Sequence, residues 1–316
     1  MISIVGTGKF LPTKILSNHD LEKLVDTTDE WIVKRTGIKQ RYVVTDETVL
    51  DMALTASEQA LKNANCLKSD IDLVVCATIS GDYLVPSVSN LVAGALGLEV
   101  PSMDINAACS GFVYALDVVT AYIQSGKADT VLLIGTDKMS RLTNFADRNT
   151  CVLFGDAAGA FVIKKGDQLK SISLTSKGSQ ELMNIPHVQG NAPFAKKYNR
   201  QPYLYMEGSE VYKFAVKALT EEVKKVVGQA GYNLNQVKWL VPHQANLRII
   251  ETAAKTLGFE MSQVLFNIQQ CGNTVSACVP SIFHDAFLSG KFQKGDIVVV
   301  CVFGGGLTTG AAVFKI

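Results

Sequence analysis

Two kinds of apolar pattern alternate along the chain. Short segments rich in β-branched residues predict buried strands: "IDLVVCATI" (71–79), "TVLLIGT" (130–136), "VKWLVP" (237–242) and "DIVVVCVF" (296–303). Between them, segments with helical periodicity predict amphipathic helices: "MALTASEQALKNA" (52–64) and "FAVKALTEEVKKVVGQA" (214–230). Strands that are apolar on both faces belong to sheets covered by helices, so the alternation predicts an α/β protein.

The order of these segments occurs twice. The segment "LGLEVPSMDINAACSGF" (96–112) is echoed by "LGFEMSQVLFNIQQCGNTVSA" (257–277), and "FGDAAGAFVI" (154–163) is echoed by "FGGGLTTGAAVF" (303–314). A period of about 150 residues is far too long for a solenoid. The sequence therefore predicts two similar α/β units packed face to face, residues 1–168 and 169–316, which meet near residues 164–172.

Two irregular segments interrupt the repeat. Residues 137–151 have no counterpart in the second unit, and residues 176–206 combine three prolines with polar residues. Long irregular insertions are often functional loops or subunit contacts. We expect both segments to lie near the mouth of the active site or at a dimer surface.

Composition narrows the class of protein. The 316 residues are 47% apolar, enough to fill a large core of about two domains. Lysine and arginine number 30 against 29 acidic residues, so a net charge of +1 gives no general attraction to nucleic acid or membrane. The start resembles no signal peptide, and no apolar run approaches the roughly 20 residues that span a bilayer. Seven scattered cysteines without a C-x-x-C pair fit neither a disulfide framework nor a zinc site, which favours a reducing cytoplasm.

One cysteine stands at a joint between a predicted strand and a predicted helix. Cys109 follows "SMDI" and opens "SGFVYALDVVTAYIQ", and its neighbours are all small: Ala107, Ala108, Ser110 and Gly111. Amide groups and the positive dipole end at a helix N-terminus stabilise a thiolate, which predicts a lowered pKa. Cys109 is therefore the candidate nucleophile, and the other cysteines are predicted to be structural.

Two polar residues of the second unit occupy comparable positions. His243 follows the strand "VKWLVP", and Asn273 lies in "CGNTVSACVP", the counterpart of the Cys109 loop. Ligands of α/β sheets bind at the carboxyl ends of strands, so we expect both residues to converge on Cys109. The remaining histidines are predicted to be structural or solvated: His19, His187 and His284.

The glycine-rich segment "FGGGLTTG" (303–310) lacks the Lys-Ser or Lys-Thr of a phosphate-binding loop. "GTGKF" (6–10) likewise lacks the third glycine of a dinucleotide fingerprint. The favoured use of Gly304 to Gly306 is close backbone approach, with an N–H offered to a developing oxyanion.

Taken together, these residues resemble the β-ketoacyl-acyl-carrier-protein synthase III family of the thiolase superfamily. The resemblance covers essentially the whole chain, with motifs in family order: "IVGTGKFLP", "VDTTDEWIVKRTGIKQR", "DINAACSGF", "FGDAAGA", "VPHQANLRI", "GNTVSACVP" and "FGGGLTTG". It implies a thiolase-like, duplicated, five-layered αβαβα fold and a homodimer.

The resemblance also implies an activity. An acyl-coenzyme A primer would acylate Cys109, and malonyl-acyl-carrier protein would then be decarboxylated and condensed to a β-ketoacyl product, initiating fatty acid biosynthesis. His243 and Asn273 would bind the malonyl thioester oxygen, and the amides of Cys109 and Gly305 would form the oxyanion hole. No metal or redox cofactor would be required beyond the substrates.

Further residues match family positions that bind the substrates. The resemblance assigns six residues to coenzyme A: Trp31, Arg35, Arg148, Thr27, Gly208 and Asn246. It assigns three basic residues to the acidic carrier protein: Lys213, Arg248 and Lys255. Aromatic–guanidinium stacking and arginine–phosphate contacts suit the first set, and electrostatic guidance suits the second.

The sequence departs from the family pattern at several positions. Val85 stands where many members have a Phe that reaches across the dimer to the primer pocket, so a longer or branched primer is implied. Val275, Ser276 and Cys278 alter the common Asn-Thr-Ser-Ala-Ala-Ser segment, and Thr309 replaces a usual Trp. The identity of the primer therefore stays open.

Three alternatives remain at the level of sequence. A papain-like hydrolase has the same Cys-His-Asn order, but this chain lacks its Cys-Gly-x-Cys-Trp surroundings, and that class does not explain the duplication. A catalytically silent carrier-binding subunit would not need Cys109, His243 and Asn273. A secondary-metabolite or acyl-transfer paralogue would keep the fold and nucleophile and change the substrates.

Overall fold

The computed structural model describes residues 1–188, 190, 193–194, 196 and 201–316, so part of the irregular segment 176–206 lies outside it. The strands are β1 (Ile2–Phe10), β2 (Lys14–Ser17), β3 (Gln40–Val43), β4 (Leu73–Ala77), β5 (Ser102–Ile105), β6 (Thr130–Asp137), β7 (Ala157–Lys165), β8 (Leu169–Ser179), β9 (Met183–Asn184), β10 (Tyr205–Met206), β11 (Val237–Pro242), β12 (Ile297–Gly304) and β13 (Gly306–Lys315). The helices are α1 (Asn18–Leu21), α2 (Asp29–Thr36), α3 (Val49–Asn63), α4 (Val88–Leu96), α5 (Gly111–Gln124), α6 (Arg148–Cys151), α7 (Gly208–Gln229), α8 (Leu247–Leu257), α9 (Ile268–Cys271) and α10 (Cys278–Leu288).

Local sequence explains where the helices begin and end. The Thr48 hydroxyl accepts a hydrogen bond from the Asp51 N–H, and the Asp51 carboxylate caps Thr48 in return, which starts α3. The Asn246 side chain caps α8, which ends at Gly258 with φ of 80°. The long amphipathic segments of the sequence therefore become helices with defined ends.

Two mixed sheets form the body of the protein. The first has the strand order β1-β7-β6-β4-β5, and the second has the order β11-β12-β13-β8. Strands β4, β5 and β6 pair in parallel, as do β11 and β12, so their carboxyl ends lie at one edge of each sheet. Every residue of β4 and β6 is buried, as their continuous apolar runs predict. The predicted α/β class is confirmed.

Helices cover both faces of each sheet. Helices α3 and α4 pack on the outer face of the first sheet, α7 packs on the outer face of the second beside α8, and α5 and α10 each contact strands of both sheets. In the central layer, the Phe112 ring of α5 meets Phe161 of β7 edge-on at 5.0 Å, and Phe283 of α10 lies 5.2 Å from Phe161. The result is the five-layered αβαβα arrangement that the resemblance implies.

The chain passes from the first sheet to the second between β7 and β8, close to the predicted junction. The division into duplicated units 1–168 and 169–316 remains a prediction. Over the described ranges, no helix is both long enough and apolar enough to cross a bilayer.

Candidate active site

Cys109 lies in a short helical turn, Ala108–Ser110, directly before α5. The turn is fixed from the second sheet, because the Thr308 hydroxyl donates to the Ala107 carbonyl at 3.1 Å and the Ser110 hydroxyl donates to the Thr308 carbonyl at 3.2 Å. Strand β12 approaches this turn so closely that a Cβ on Gly304 would lie 2.8 Å from the Cys109 nitrogen. Glycine is therefore required at the end of β12.

The protonation of Cys109 differs from the sequence prediction. Burial raises the pKa of the Cys109 thiol well above its ordinary value, and the nearby Cys278 and Asp137 raise it further. The predicted lowering of the pKa is wrong, because desolvation of the buried sulfur is the largest influence on it. Cys109 is a thiol at neutral pH and must lose its proton during the reaction.

His243 follows β11 immediately and is only 1% exposed. Its backbone N–H donates to the Cys301 carbonyl at 2.8 Å, and its ring meets Phe303 edge-on at 5.2 Å. Both ring nitrogens are buried and have no hydrogen-bond partner among the residues that the structure describes. Burial lowers the pKa of His243 to about 3, so the imidazole is neutral and carries one N–H donor.

Three hydrogen bonds fix the position of Asn273. Its backbone N–H donates to the Leu153 carbonyl at 2.8 Å, and its own carbonyl accepts from the Gly155 N–H at 3.1 Å. Its side-chain Oδ1 accepts from the Val275 N–H at 2.9 Å. Because Oδ1 is engaged within this loop, the Nδ2 group is the donor left for a ligand.

These three side chains line one cavity of about 900 Å³. The sequence prediction that Cys109, His243 and Asn273 converge therefore agrees with the geometry. Apolar residues form the cavity walls: Leu153, Phe154, Met183, Leu204, Met206 and Phe303. A thiol, a neutral imidazole and a carboxamide in a largely apolar cavity suit acyl transfer through a thioester.

The predicted oxyanion donor Gly305 follows β12 directly, next to Gly304, which lines this cavity. A Cβ built there would lie 3.4 Å from the Met183 sulfur and 3.7 Å from the Ala108 Cβ. The backbone of Gly305 is thus adjacent to the Cys109 turn.

An aromatic and basic cluster, formed by Trp31, Arg35 and Arg148, lies at the mouth of the cavity. The Arg148 guanidinium is 4.7 Å from the centroid of Trp31, and that of Arg35 is 5.7 Å away. Asn246 Nδ2 donates to the Arg35 carbonyl at 3.0 Å, which joins α8 to α2. The Thr27 hydroxyl is buried without a hydrogen-bond partner among the described residues. Gly208, the first residue of α7, lines the same cavity.

The predicted carrier-protein residues lie on α7 and α8, and two of the three line the cavity. Lys213 and Arg248 line the cavity, Lys213 pairing with Glu210 at 2.8 Å and the Arg248 guanidinium lying 5.9 Å from the Tyr212 centroid. Lys255 is exposed in the last turn of α8 and does not line the cavity. The Val85 side chain also lies outside the cavity of its own chain and is 83% exposed.

The irregular segments contribute residues that sequence reasoning missed. Asp147 and Asn149 of segment 137–151, and Met183, Leu204 and Met206 of segment 176–206, line the cavity. The predicted location near the active-site mouth is confirmed for these described parts. In the sequence, only the apolar residues scattered through segment 176–206 could have indicated that it lines the cavity.

The other histidines lie elsewhere. His284 Nδ1 is 3.0 Å from the Thr7 hydroxyl in a buried contact, and exposed His19 pairs with Glu22. Exposed His187 does not line the cavity. Within the described part of the chain, no group of three or more His, Cys, Asp or Glu side chains is arranged to hold a metal ion.

The layered fold and the cavity define a thiolase-fold condensing enzyme, a class of acyltransferases. The family model of 3-oxoacyl-[acyl-carrier-protein (ACP)] synthase III matches residues 103–179, and the model of its C-terminal part matches residues 227–316. The chain belongs to the β-ketoacyl-acyl-carrier-protein synthase III family of fatty acid biosynthesis.

Individual relatives agree over the full length. The β-ketoacyl-[acyl-carrier-protein] synthase III of Xanthomonas axonopodis pv. citri is 42% identical over 99% of this chain and 97% of its own. The corresponding enzyme of Aquifex aeolicus is 41% identical over 99% of this chain and 98% of its own. Its crystal structure superposes with a TM-score of 0.94 and 40% identity, covering 100% of both chains. Family membership leaves the papain-like hydrolase without support.

Proposed function

We propose that this enzyme condenses an acyl-coenzyme A primer with malonyl-acyl-carrier protein through an acyl-enzyme on Cys109. The observation that carries the proposal is the meeting of the Cys109 thiol, the neutral His243 imidazole and the Asn273 carboxamide in one cavity. The arginines and Trp31 at the mouth suit the phosphates and adenine of coenzyme A.

In the first half-reaction, the sulfur of Cys109 attacks the thioester carbonyl of the primer. Coenzyme A leaves as a thiol, carrying the proton that Cys109 loses. The N–H groups of Cys109 and Gly305 stabilise the tetrahedral oxyanion, and one such donor is worth roughly 3 kcal/mol. Close approach of Gly304 keeps a side chain out of the space beside the Cys109 N–H.

In the second half-reaction, His243 and Asn273 donate hydrogen bonds to the malonyl thioester oxygen. Both donors are neutral and their backbones are fixed, so they stabilise the enolate that forms as carbon dioxide departs. The enolate carbon attacks the acyl carbonyl, and the carbon–sulfur bond to Cys109 breaks as the β-ketoacyl product forms. Cys109 leaves as a thiolate and takes up a proton from water, which restores the thiol. Cys109 and Gly305 thus act in acylation, and His243 and Asn273 act in decarboxylation.

At the mouth, we assign coenzyme A to Trp31, Arg35 and Arg148, with Thr27, Gly208 and Asn246 completing its site. The position of Trp31, Arg35, Gly208 and Asn246 in the lining of the cavity supports this assignment. The basic residues Lys213, Arg248 and Lys255 would receive the acidic carrier protein.

A homodimer completes the primer pocket in this proposal. Tyr83, Leu84 and Val85 are 64%, 84% and 83% exposed, an apolar projection that calls for cover. A second copy would cover it and receive Val85 in its primer pocket.

No cofactor is required beyond the substrates. We assign the enzyme to the cytoplasm, because none of the seven cysteines, all of them described, forms a disulfide.

The test separates the two half-reactions. Incubation with a short-chain acyl-coenzyme A should add one acyl group to the wild type, seen by intact-protein mass spectrometry and mapped to Cys109. Cys109→Ser should retain none, whereas Cys301→Ser, a change at another buried cysteine, should acylate normally. His243→Ala and Asn273→Ala should acylate but release little carbon dioxide from malonyl-carrier protein. Acylation that persists on Cys109→Ser contradicts the proposal.

A specialised paralogue with a different primer is the second candidate. Small, exposed Val85 favours it, because the family position usually holds Phe. Competition for acylation among acyl-coenzyme A primers of increasing length and branching shows which primer the enzyme prefers, and so distinguishes the two candidates. A Val85→Phe variant that narrows the accepted range would assign primer selection to this position, and an unchanged range would exclude it.

A further inference from the structure

Two counterpart turns contact each other beside the active site. The turn Ala108–Ser110 precedes α5 directly, and the turn Val275–Ala277 precedes α10 directly. Both contain a non-glycine residue in the left-handed region, Ala108 with φ of 48° and Val275 with φ of 53°. Cys109 and Ser276 occupy the same place in the two turns.

The strands that support these turns end in different residues. Strands β6 and β12 are each eight residues long, and they end at Asp137 and Gly304. Gly304 places no side chain of its own beside the Cys109 N–H. At the other turn, the Asp137 carboxylate fills the corresponding place, and its Oδ2 accepts from the Ser276 N–H at 3.1 Å and the Ser276 hydroxyl at 2.5 Å.

The Asp137 carboxylate is fully buried and joins the two halves of the fold. Its second oxygen, Oδ1, accepts from the Ile79 N–H at 2.9 Å, the Ser80 hydroxyl at 2.9 Å and the Thr78 hydroxyl at 3.2 Å. Each carboxylate oxygen therefore receives a backbone N–H. A carboxamide cannot reproduce this, because one of its two positions is a donor.

The Ser276 contact bears on the orientation of Asn273. Val275 is β-branched, and its left-handed conformation is unfavourable unless its neighbours impose it. On one side, Ser276 is fixed to Asp137, and on the other the Val275 N–H donates to Asn273 Oδ1 at 2.9 Å. The same conformation thus directs the Val275 N–H at Oδ1 and leaves Nδ2 of Asn273 for the substrate.

We propose that Asp137 is a positioning residue for the decarboxylation and condensation half-reaction. Through Ser276 it holds the left-handed turn that orients the carboxamide of Asn273. This inference rests on the proposed function for its kinetic consequences. The Cys109 turn is held instead by Thr308, so its conformation does not depend on the contact between Asp137 and Ser276.

The test is Asp137→Asn. The amide oxygen is expected to face the three donors of residues 78–80, which places the NH₂ group against the Ser276 N–H. Acylation of Cys109, followed by rapid-quench mass spectrometry, should slow by no more than about threefold, because loss of the Asp137 charge removes a group that raises the pKa of Cys109 and so does not hinder its deprotonation. Carbon dioxide release from malonyl-carrier protein should fall about 10- to 100-fold, as for a misplaced catalytic group. Thr78→Val is the matched control, because it removes one donor from Oδ1 and should leave the ratio of the two rates unchanged.

Ser276→Ala is the second variant, for use if Asp137→Asn does not fold. It keeps the backbone bond to Oδ2, so its effect should have the same direction and a smaller size. Equal loss of both half-reactions, or loss of neither, overturns the inference. A wild type that forms no acyl-enzyme refutes the proposed function instead. In that case the crystal structure of whichever variant folds decides: a Val275 N–H that no longer bonds Asn273 Oδ1 supports the inference, and an unchanged bond overturns it.

Discussion

The Arg148 guanidinium lies 4.7 Å from the ring centroid of Trp31, and Arg148 Nη1 donates to the Asp26 carbonyl at 2.7 Å. These contacts join α6, from an irregular insertion, to α2 at the mouth of the cavity. A planar aromatic ring beside two guanidinium groups can stack with a nucleobase and pair with phosphates in one place.

Replacing Trp31 by Ala should weaken the binding of acyl-coenzyme A. We expect the KM for the primer to rise about tenfold, equivalent to roughly 1.4 kcal/mol, with little change in kcat. Steady-state kinetics with a varied primer and saturating malonyl-carrier protein measures this. Trp239→Phe, at the other tryptophan of the chain, is the control and should leave this KM unchanged. A change confined to the KM for the carrier protein would contradict the assignment of Trp31.

The pKa of His243 predicts how stability changes with pH. Because burial lowers this pKa from 6.5 to about 3, the unfolded chain takes up the proton first as the pH falls. The stability that comes from a neutral His243 is therefore complete above about pH 6.5 and is lost progressively towards pH 3. Between pH 7 and pH 5, wild type should lose about 2 kcal/mol more than His243→Gln.

Urea unfolding at a series of pH values measures this difference. His19→Gln is the control, because exposed His19 has a raised pKa from its hydrogen bond to Glu22 and should not reproduce the flattened profile. Parallel pH profiles for wild type and His243→Gln would show that His243 is already accessible to protons in the folded protein.

The pattern of the sequence was sufficient for the α/β class and for placing Cys109 where a strand gives way to a helix. Continuous apolar strands predicted β4, β6 and β12, and the strand–helix joint singled out Cys109. The direction of the Cys109 pKa shift could not be predicted from the sequence, because desolvation depends on how tightly two distant segments close around the sulfur. The contact between Asp137 and Ser276 was missed for the same reason, since it joins residues 139 positions apart.

Carrier-protein docking should respond to the charge of Lys255. Lys255→Glu should raise the KM for malonyl-carrier protein several-fold at low salt and make the reaction less sensitive to ionic strength, because an exposed charge acts mainly through steering. Acylation by acyl-coenzyme A should not change, since Lys255 lies outside the cavity. Lys294→Glu changes net charge equally, but precedes β12 at the sheet end opposite Gly304, so it should behave as wild type. Equal effects of the two variants would indicate a general charge effect rather than a docking surface.

The packing of the first sheet against α3 depends on Gly8. A Cβ at this position would lie 2.0 Å from the Ala56 carbonyl oxygen and 2.6 Å from the Ala60 nitrogen, both backbone atoms of α3. Gly8→Ala should therefore force β1 away from α3 and lower the free energy of unfolding by about 3 kcal/mol. Gly228→Ala is the matched change in α7, where a Cβ meets no described atom within 4 Å, and it should raise the free energy of unfolding by about 0.5–1 kcal/mol. Urea unfolding followed by circular dichroism measures both values. Equal effects of the two substitutions would mean that loss of glycine flexibility, rather than the β1–α3 contact, governs the response.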